Sequence, residues 1–413
     1  MINPVKRQFN YFLLCLAMIW MKTSFGQIKI EGLHYLDHTP VSVEITDGKI
    51  ADIRRIEKLS DGNQTLYIAP GLIDNQVNGY LGVSFVFGGS ELTIDGIKKA
   101  TAGLWEKGVT TYLPTLTTNS RETLLKNLRI LAKAKNDPSL RGSLAGFHLE
   151  GPYISPLDGF RGAHPKQHVR KPDWNEFEAF LKASGNGILT VTLAPELDGA
   201  LEFIRQCSAR GIIVALGHHN ASKDLVDQAV LNGARISTHL GNGCANLINR
   251  HDNPLWPQLA NDRLLVSLIC DGFHLRDEEI KTFYAVKGPE RTILTSDITS
   301  FAGLPAGKYI NEDGETIELT EDGLLRYPAQ DVLYGSATPI NRGLVRIMNV
   351  TGCTLAEAIR MGSANPAGLY GLTDRGEMAP GKRADLILFT IDKRELNIKK
   401  TYVEGTLVYE AEQ

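Results

Sequence analysis

"GFHLEGPYISPLDGFRGAHP", Gly146 to Pro165, begins as an apolar strand and then places a glutamate, prolines, glycines and a second histidine where that strand should end. Similar runs recur along the chain: Leu66 to Asp74, Val109 to Leu116, Ser143 to Gly151, Ile188 to Glu196, Gly211 to His219, Arg235 to Leu240, Leu264 to Gly272 and Arg291 to Asp297. Amphipathic segments lie between them, at Leu92 to Lys107, Arg121 to Lys135, Leu197 to Arg210, Ser222 to Asn232 and Arg276 to Val286. Near-continuous apolar strands alternating with helices imply a parallel sheet covered on its outer face. Eight such units predict an α/β protein built on a closed (β/α)8 TIM-type barrel.

The flanks read differently. Ile28 to Ile68 and Gly376 to Tyr409 hold short alternating strands, and neither is large enough to bury a core of its own. They predict one small β-sandwich assembled from both chain ends, residues 27–68 and 372–413, around a barrel at 69–371. Ahead of them, Lys6 and Arg7 precede the apolar run Tyr11 to Met21, with small residues at Ser24 and Gly26. That order predicts a cleaved signal peptide over 1–26, a mature start at Gln27, and a periplasmic or secreted protein with no stable membrane insertion after cleavage. Cys207, Cys244, Cys270 and Cys353 form no CxxC pair, so no disulfide framework or zinc ribbon is expected, and Cys207 and Cys270 read as core residues.

With 44 basic and 47 acidic residues, a net charge of -3 and no long run of either sign, the chain offers no footprint for nucleic acid or an anionic membrane. A small-molecule partner is expected. Asp74, Glu150, Glu196, His218, His239, Asp271 and Asp297 all end strands, and in such a barrel those ends share the face that carries the active site. A lone polar residue there is usually a cap or a solvated loop residue; seven at one end point to a site. Glu150, His218 and His239 supply one carboxylate and two imidazoles from three strands. That set suits one zinc or similar divalent ion per chain with a position left for water. Asp297, at the end of the last strand, is the carboxylate placed to take that water's proton. His219 and His251, each beside a candidate residue, read as polar loop positions.

"APGLIDNQVNG", "HLEGPYISP", "GAHP", "TLAPE", "GHHNAS", "DGFHL", "TSDITSFAGLPAGKY" and "GEMAPGKRADLILF" together resemble the N-acetylglucosamine-6-phosphate deacetylase family of the amidohydrolase superfamily, over essentially the whole mature chain. The resemblance implies Glu150, His218 and His239 as metal ligands, Asp297 as catalytic acid and base, and His164 beside the acetamido group. It further implies Asn242, Arg250 and His274 as holders of the sugar phosphate, and a homodimer in which a loop of one subunit closes the other's site. Many amidohydrolases carry HxH after the first strand for a second metal; Gln76 and Asn78 stand there instead, and amide side chains are poor ligands for a transition metal. The stretch "HLGNGCANLINRHDNPLWPQLA" departs from the family's usual "HLFNAM". That departure and the export signal leave two alternatives open: an exported amidohydrolase of an unphosphorylated N-acetyl sugar or other amide, gaining less than about tenfold from phosphate, and a non-enzymatic amino-sugar binder.

Overall fold

The computed structural model describes residues 28–60, 65–87, 89–311 and 313–412; the expected signal segment 1–26 lies outside them. Eight parallel strands follow one another in sequence order around a single sheet: β1 Leu72–Val77, β2 Val109–Thr117, β3 Phe147–Glu150, β4 Ile188–Leu193, β5 Ile213–Leu216, β6 Ala234–Ser237, β7 Leu265–Ile269 and β8 Thr292–Thr295. The ring closes where Val77 bridges Ile298 and where the Asp297 amide donates to the Gln76 carbonyl at 3.0 Å. Each strand is followed by a helix: α1 Ile94–Glu106, α2 Arg121–Lys135, α3 Trp174–Ala183, α4 Ala200–Ala209, α5 Lys223–Leu231, α6 Leu255–Ala260, α7 Asp277–Arg291 and α8 Ile340–Thr351. The expected barrel is therefore present, including α3, α6 and α8, which the periodicity alone did not single out. Polar caps set several starts: the Thr93, Ser120, Asp173 and Ser222 side chains each accept an amide of the first turn.

Alternation along the strands divides core from site. In β3, Phe147 and Leu149 are fully buried in the main hydrophobic core between sheet and helices, as are Val191 and Leu193 of β4 and Val214 and Leu216 of β5. The intervening residues make the barrel interior polar. The His148 Nε2 lies 2.7 Å from the Thr192 hydroxyl, which lies 2.7 Å from that of Thr238. The opening stretch is thus two-sided, with Phe147 and Leu149 packing outward while His148 and Glu150 face in.

The small β-rich domain is built from both chain ends, but its strands are hydrogen-bonded into one sheet rather than two. Ile28–His34, Pro40–Thr46, Lys49–Arg55 and Tyr67–Pro70 from the amino-terminal side join Leu386–Ile391, Leu396–Val403 and Thr406–Glu410 from the other. A Lys49–Arg383 bridge brings its edge back toward the middle, so the sheet doubles over a core that includes Val43, Ile45, Ile68, Leu386 and Leu388. A second sheet, four short antiparallel strands over Gly307–Ile310, Thr316–Leu319, Leu325–Tyr327 and Val332–Leu333, is inserted between β8 and α8 around Phe301, Ile317 and Leu325. Nothing in the strand–helix rhythm announced it. Cys207 and Cys270 are buried, and Cys207, Cys244, Cys270 and Cys353 are free thiols. Among the described residues no helix is long and apolar enough to cross a membrane.

Candidate active site

A cavity of about 440 Å3 opens at the carboxyl ends of the strands, bordered by Glu150, His164, His218, His239, Asn242, His274 and Asp297. His218, His239 and Asp297 follow β5, β6 and β8 with φ of 53°, 31° and 52°. Left-handed backbone at non-glycine residues is costly and collects at functional sites. Here it turns the chain sharply off the strand while the surroundings hold it: the Ser155 amide donates to the His218 carbonyl at 2.9 Å, and the His239 amide to the Ser267 hydroxyl at 2.7 Å.

Three acceptor-type atoms converge. Glu150 Oε1 is 2.9 Å from His239 Nε2 and 3.4 Å from His218 Nε2, and the two imidazole nitrogens are 3.1 Å apart. His218 donates its Nδ1 proton to the Phe160 carbonyl at 3.0 Å, which leaves the lone pair on Nε2. Lone pairs facing one another in a buried site repel unless a cation lies between them, and donors on a tetrahedral ion with bonds of about 2.0–2.1 Å stand about 3.3 Å apart. The trio fits one divalent ion. His164 also comes near, since it, Glu150 and His218 bring ligand-type atoms within 4.8 Å of one another. We assign the ion to the set with His239, because His239 Nε2 lies 2.9 Å from Glu150 Oε1 and 3.1 Å from His218 Nε2, a closer convergence than the set with His164 requires. Burial opposes the charge on Glu150, but the two imidazoles beside it, His218 and His239, hold its carboxyl well below the usual range. Burial likewise works against protonated His239, and the adjacent Glu150 outweighs it and pushes the imidazole upward.

Gln76 and Asn78 occupy the place of the HxH pair and act as a clamp. Gln76 Nε2 donates to Glu150 Oε1 at 3.0 Å and to Asp297 Oδ1 at 2.8 Å, while Asn78 Nδ2 donates to the same Asp297 oxygen at 2.6 Å. Both donors go to Oδ1, leaving Oδ2 available for a proton. Burial, and then the charge of Glu150, raise Asp297 to about 7. His164 is pushed down to about 3 by burial and by His218. It is therefore neutral, and its Nδ1 shares a hydrogen bond with the Thr118 hydroxyl at 2.8 Å, which leaves Nε2 toward the cavity.

The remaining strand-end residues have structural work. Asp74 is fully buried and ties β1 to β8, accepting from the Thr295 hydroxyl at 3.0 Å and the Ser296 amide at 3.1 Å. Glu196 accepts the Asn220 amide at 2.7 Å. Asp271 holds His274 Nδ1 at 2.6 Å. His219 is buried and accepts the Ala221 amide through Nδ1, and His251 is exposed, so both are loop residues as expected. Arg250 lies on the exposed part of the 241–257 loop, its carbonyl accepting from Trp256 Nε1 at 2.8 Å, and it does not border the cavity of its own chain. Residues 331–335, at the end of the inserted sheet, and Arg276 do border it; neither carried a motif. Gln76, by contrast, was visible as a missing metal ligand, but its hydrogen bonds span 74 and 221 positions of chain and could not be read from spacing.

The Amidohydrolase family matches residues 67–408. The chain is 34% identical to N-acetylglucosamine-6-phosphate deacetylase of Homo sapiens, over 93% of this chain and 91% of that one, and 32% identical to that of Bacillus subtilis (strain 168), over 85% and 89%. Its fold is similar to a mutant N-acetyl-D-glucosamine-6-phosphate deacetylase of Mycobacterium smegmatis in complex with N-acetyl-D-glucosamine-6-phosphate, at TM-score 0.82 and 27% identity, covering 92% of this chain and 99% of that one. A closed barrel, a Glu–His–His cluster at its mouth and likeness over nearly the full length make this chain a member of the amidohydrolase family, in its N-acetylglucosamine-6-phosphate deacetylase branch.

Proposed function

We propose that this enzyme hydrolyses the acetamide of an N-acetylated amino sugar 6-phosphate, with N-acetylglucosamine 6-phosphate as the leading substrate. The observation that carries the reading is the convergence of Glu150, His218, His239 and Asp297 on one cavity. A zinc or similar divalent ion held by Glu150, His218 and His239 would supply a water of lowered pKa and polarise the carbonyl. Asp297, its Oδ1 held by Gln76 and Asn78, receives the water's proton on Oδ2. Water oxygen adds to the acetamide carbon, the carbon–nitrogen bond breaks, and Asp297 returns the proton to the departing amine, giving acetate and the amino sugar. A carboxyl raised to about 7 suits both halves of that exchange. His164 donates its Nε2 proton to the carbonyl oxygen as charge develops there, and Asn242 and His274 hold the sugar.

Acetate release by purified protein, read beside metal content, tests this. His218→Ala loses metal and turnover together, whereas Asp297→Asn keeps its metal and loses turnover by about a hundredfold or more. An Asp297→Asn variant with near wild-type activity would overturn the assignment. No observation favours the unphosphorylated-sugar alternative, and the intact hydrolytic set argues against a binder without activity.

We also propose a homodimer and export. Leu247 and Trp256 are 93% and 54% exposed on the loop that carries Arg250 outside its own cavity, an apolar surface that a second copy would cover. A sedimentation measurement giving a monomer of full activity refutes the dimer. Export rests on the first 26 positions of the sequence, and amino-terminal sequencing of exported protein that begins at Met1 rather than near Gln27 refutes the cleavage.

A further inference from the structure

His164 can donate to an acetamide carbonyl only if its proton sits on Nε2, and a neutral imidazole carries one proton that either nitrogen can hold. Thr118, the residue after β2, is fully buried on the Nδ1 side of that ring and does not border the cavity, whereas Thr117 and His164 do. Its hydroxyl has one hydrogen-bond partner among the described residues, His164 Nδ1 at 2.8 Å. Two arrangements of that bond differ in cost. If Nδ1–H donated to the hydroxyl oxygen, the hydroxyl hydrogen would be buried without an acceptor. If the hydroxyl donates to Nδ1, both groups are satisfied and the imidazole proton is left on Nε2. The hydroxyl is also confined, since a Cβ built on Gly151, at the end of β3, would collide with Thr118 Oγ1. Other groups place the ring itself: Arg161 Nη1 donates to the His164 carbonyl at 2.7 Å, and His164 meets His218 edge-on with ring centroids 4.3 Å apart. What is left to Thr118 is the position of the proton.

We propose that Thr118 is a positioning residue for the deacetylation: its hydroxyl donates to His164 Nδ1 and so fixes the tautomer whose Nε2–H faces the acetamide carbonyl. This rests on the deacetylase reading. Thr118 does not border the cavity, so it acts through His164. The other tautomer would present a lone pair to the carbonyl oxygen and repel the charge that develops there.

The test compares zinc-loaded wild type, Thr118→Val, Thr118→Ser, His164→Gln and the Thr118→Val, His164→Gln double variant, each checked for unchanged metal content and melting temperature. Acetate release from N-acetylglucosamine 6-phosphate is measured beside nitrogen-15 spectra of the imidazoles, in which His164 is identified by its loss from His164→Gln. Thr118→Val keeps the shape but lacks the donor; it lowers kcat about ten- to a hundredfold and leaves KM within about twofold. Wild type carries the proton on Nε2, Thr118→Val shows both tautomers, and Thr118→Ser restores the spectrum and brings kcat within about threefold of wild type. In the His164→Gln background, removing the hydroxyl changes kcat by less than about twofold. A wild-type proton on Nδ1, full kcat in Thr118→Val, a serine variant no better than valine, or an equal loss in the His164→Gln background would overturn the proposal. If Thr118→Val cannot be purified folded, Thr118→Ala carries the same comparison. Wild type that releases no acetate defeats the deacetylase reading, and the imidazole spectrum then still decides the role of Thr118.

Discussion

Glu150 and Asp297 are two buried carboxyl groups in one cavity with opposite tendencies, and Gln76 touches both. The two imidazoles beside it keep Glu150 charged, while burial and then that charge raise Asp297 to about 7. The Gln76 amide donates to each. Removing it in Gln76→Leu leaves two buried acceptors short of a donor, and Asp297 loses one of the two groups that fix its orientation. The expected result is a fall in kcat of about tenfold to a hundredfold with metal content unchanged. Gln76→Glu places a third carboxylate in the cluster and should lower kcat further. Metal analysis beside steady-state kinetics checks both; loss of metal from Gln76→Leu would show that the clamp holds Glu150 rather than Asp297. The spacing of Gln76 and Asn78 announced that a metal-ligating pair was missing, but not what the two amides do, because their partners lie on other strands.

The first turn of the 241–257 loop is packed directly against His218. Gly243 has φ 60°, and a Cβ there would lie 2.7 Å from His218 Nδ1. Alanine therefore meets both an unfavourable backbone and the imidazole that donates to Phe160. Gly243→Ala is expected to displace the His218 ring, weaken metal affinity by about tenfold or more, and cost about 1 kcal/mol or more in stability. Dialysis against chelator with metal measured afterwards, together with urea unfolding, checks the two effects separately. The distal half of the loop behaves differently. Leu247 and Arg250 are exposed, so Leu247→Asp should leave monomer stability within about 0.5 kcal/mol while weakening self-association measured by sedimentation.

Acid sensitivity belongs to the whole molecule, because it sums groups buried throughout the barrel. Burial lowers His148 and His219 each from 6.5 to about 4. Below pH 6.5 the unfolded chain takes up protons that the folded one refuses, so stability falls as pH drops from 6.5 toward 4 and is flat above that window. Each histidine then accounts for about 2 kcal/mol of loss between pH 7 and pH 5. Urea unfolding of wild type and His148→Gln at both pH values isolates the effect, since other titrating groups cancel in the difference. The stability gap between the two should shrink by about 2 kcal/mol at pH 5; a gap that does not move refutes the assignment. The chain ends matter at the same scale. Tyr67–Pro70 pairs with Leu386–Phe389 across more than three hundred positions, so a chain ending before Leu386 leaves the small sheet without three strands and exposes Ile68 and Val43. Such a truncation is expected to give insoluble protein, and a soluble, cooperatively unfolding product would contradict this.

By itself the sequence determined the features that are periodic or local. Alternation along Phe147–Glu150, the repeated apolar runs and the capped helices depend on neighbours a few residues apart, so the barrel, its catalytic face and the Glu150, His218, His239 and Asp297 set were legible before any coordinates. The chain ends were legible as one unit too, because neither could bury its apolar residues alone. Only the tertiary structure decided what depends on distance across the fold: that Asp74 closes the barrel instead of serving the site, that Gln76 joins two carboxylates, that the small domain is one doubled sheet, and that the 307–333 insertion reaches the cavity. The direction of an exposed loop is set by what it packs on, not by its own residues. For that reason sequence order alone could not say that Arg250 lies outside its own chain's cavity while Arg276 borders it.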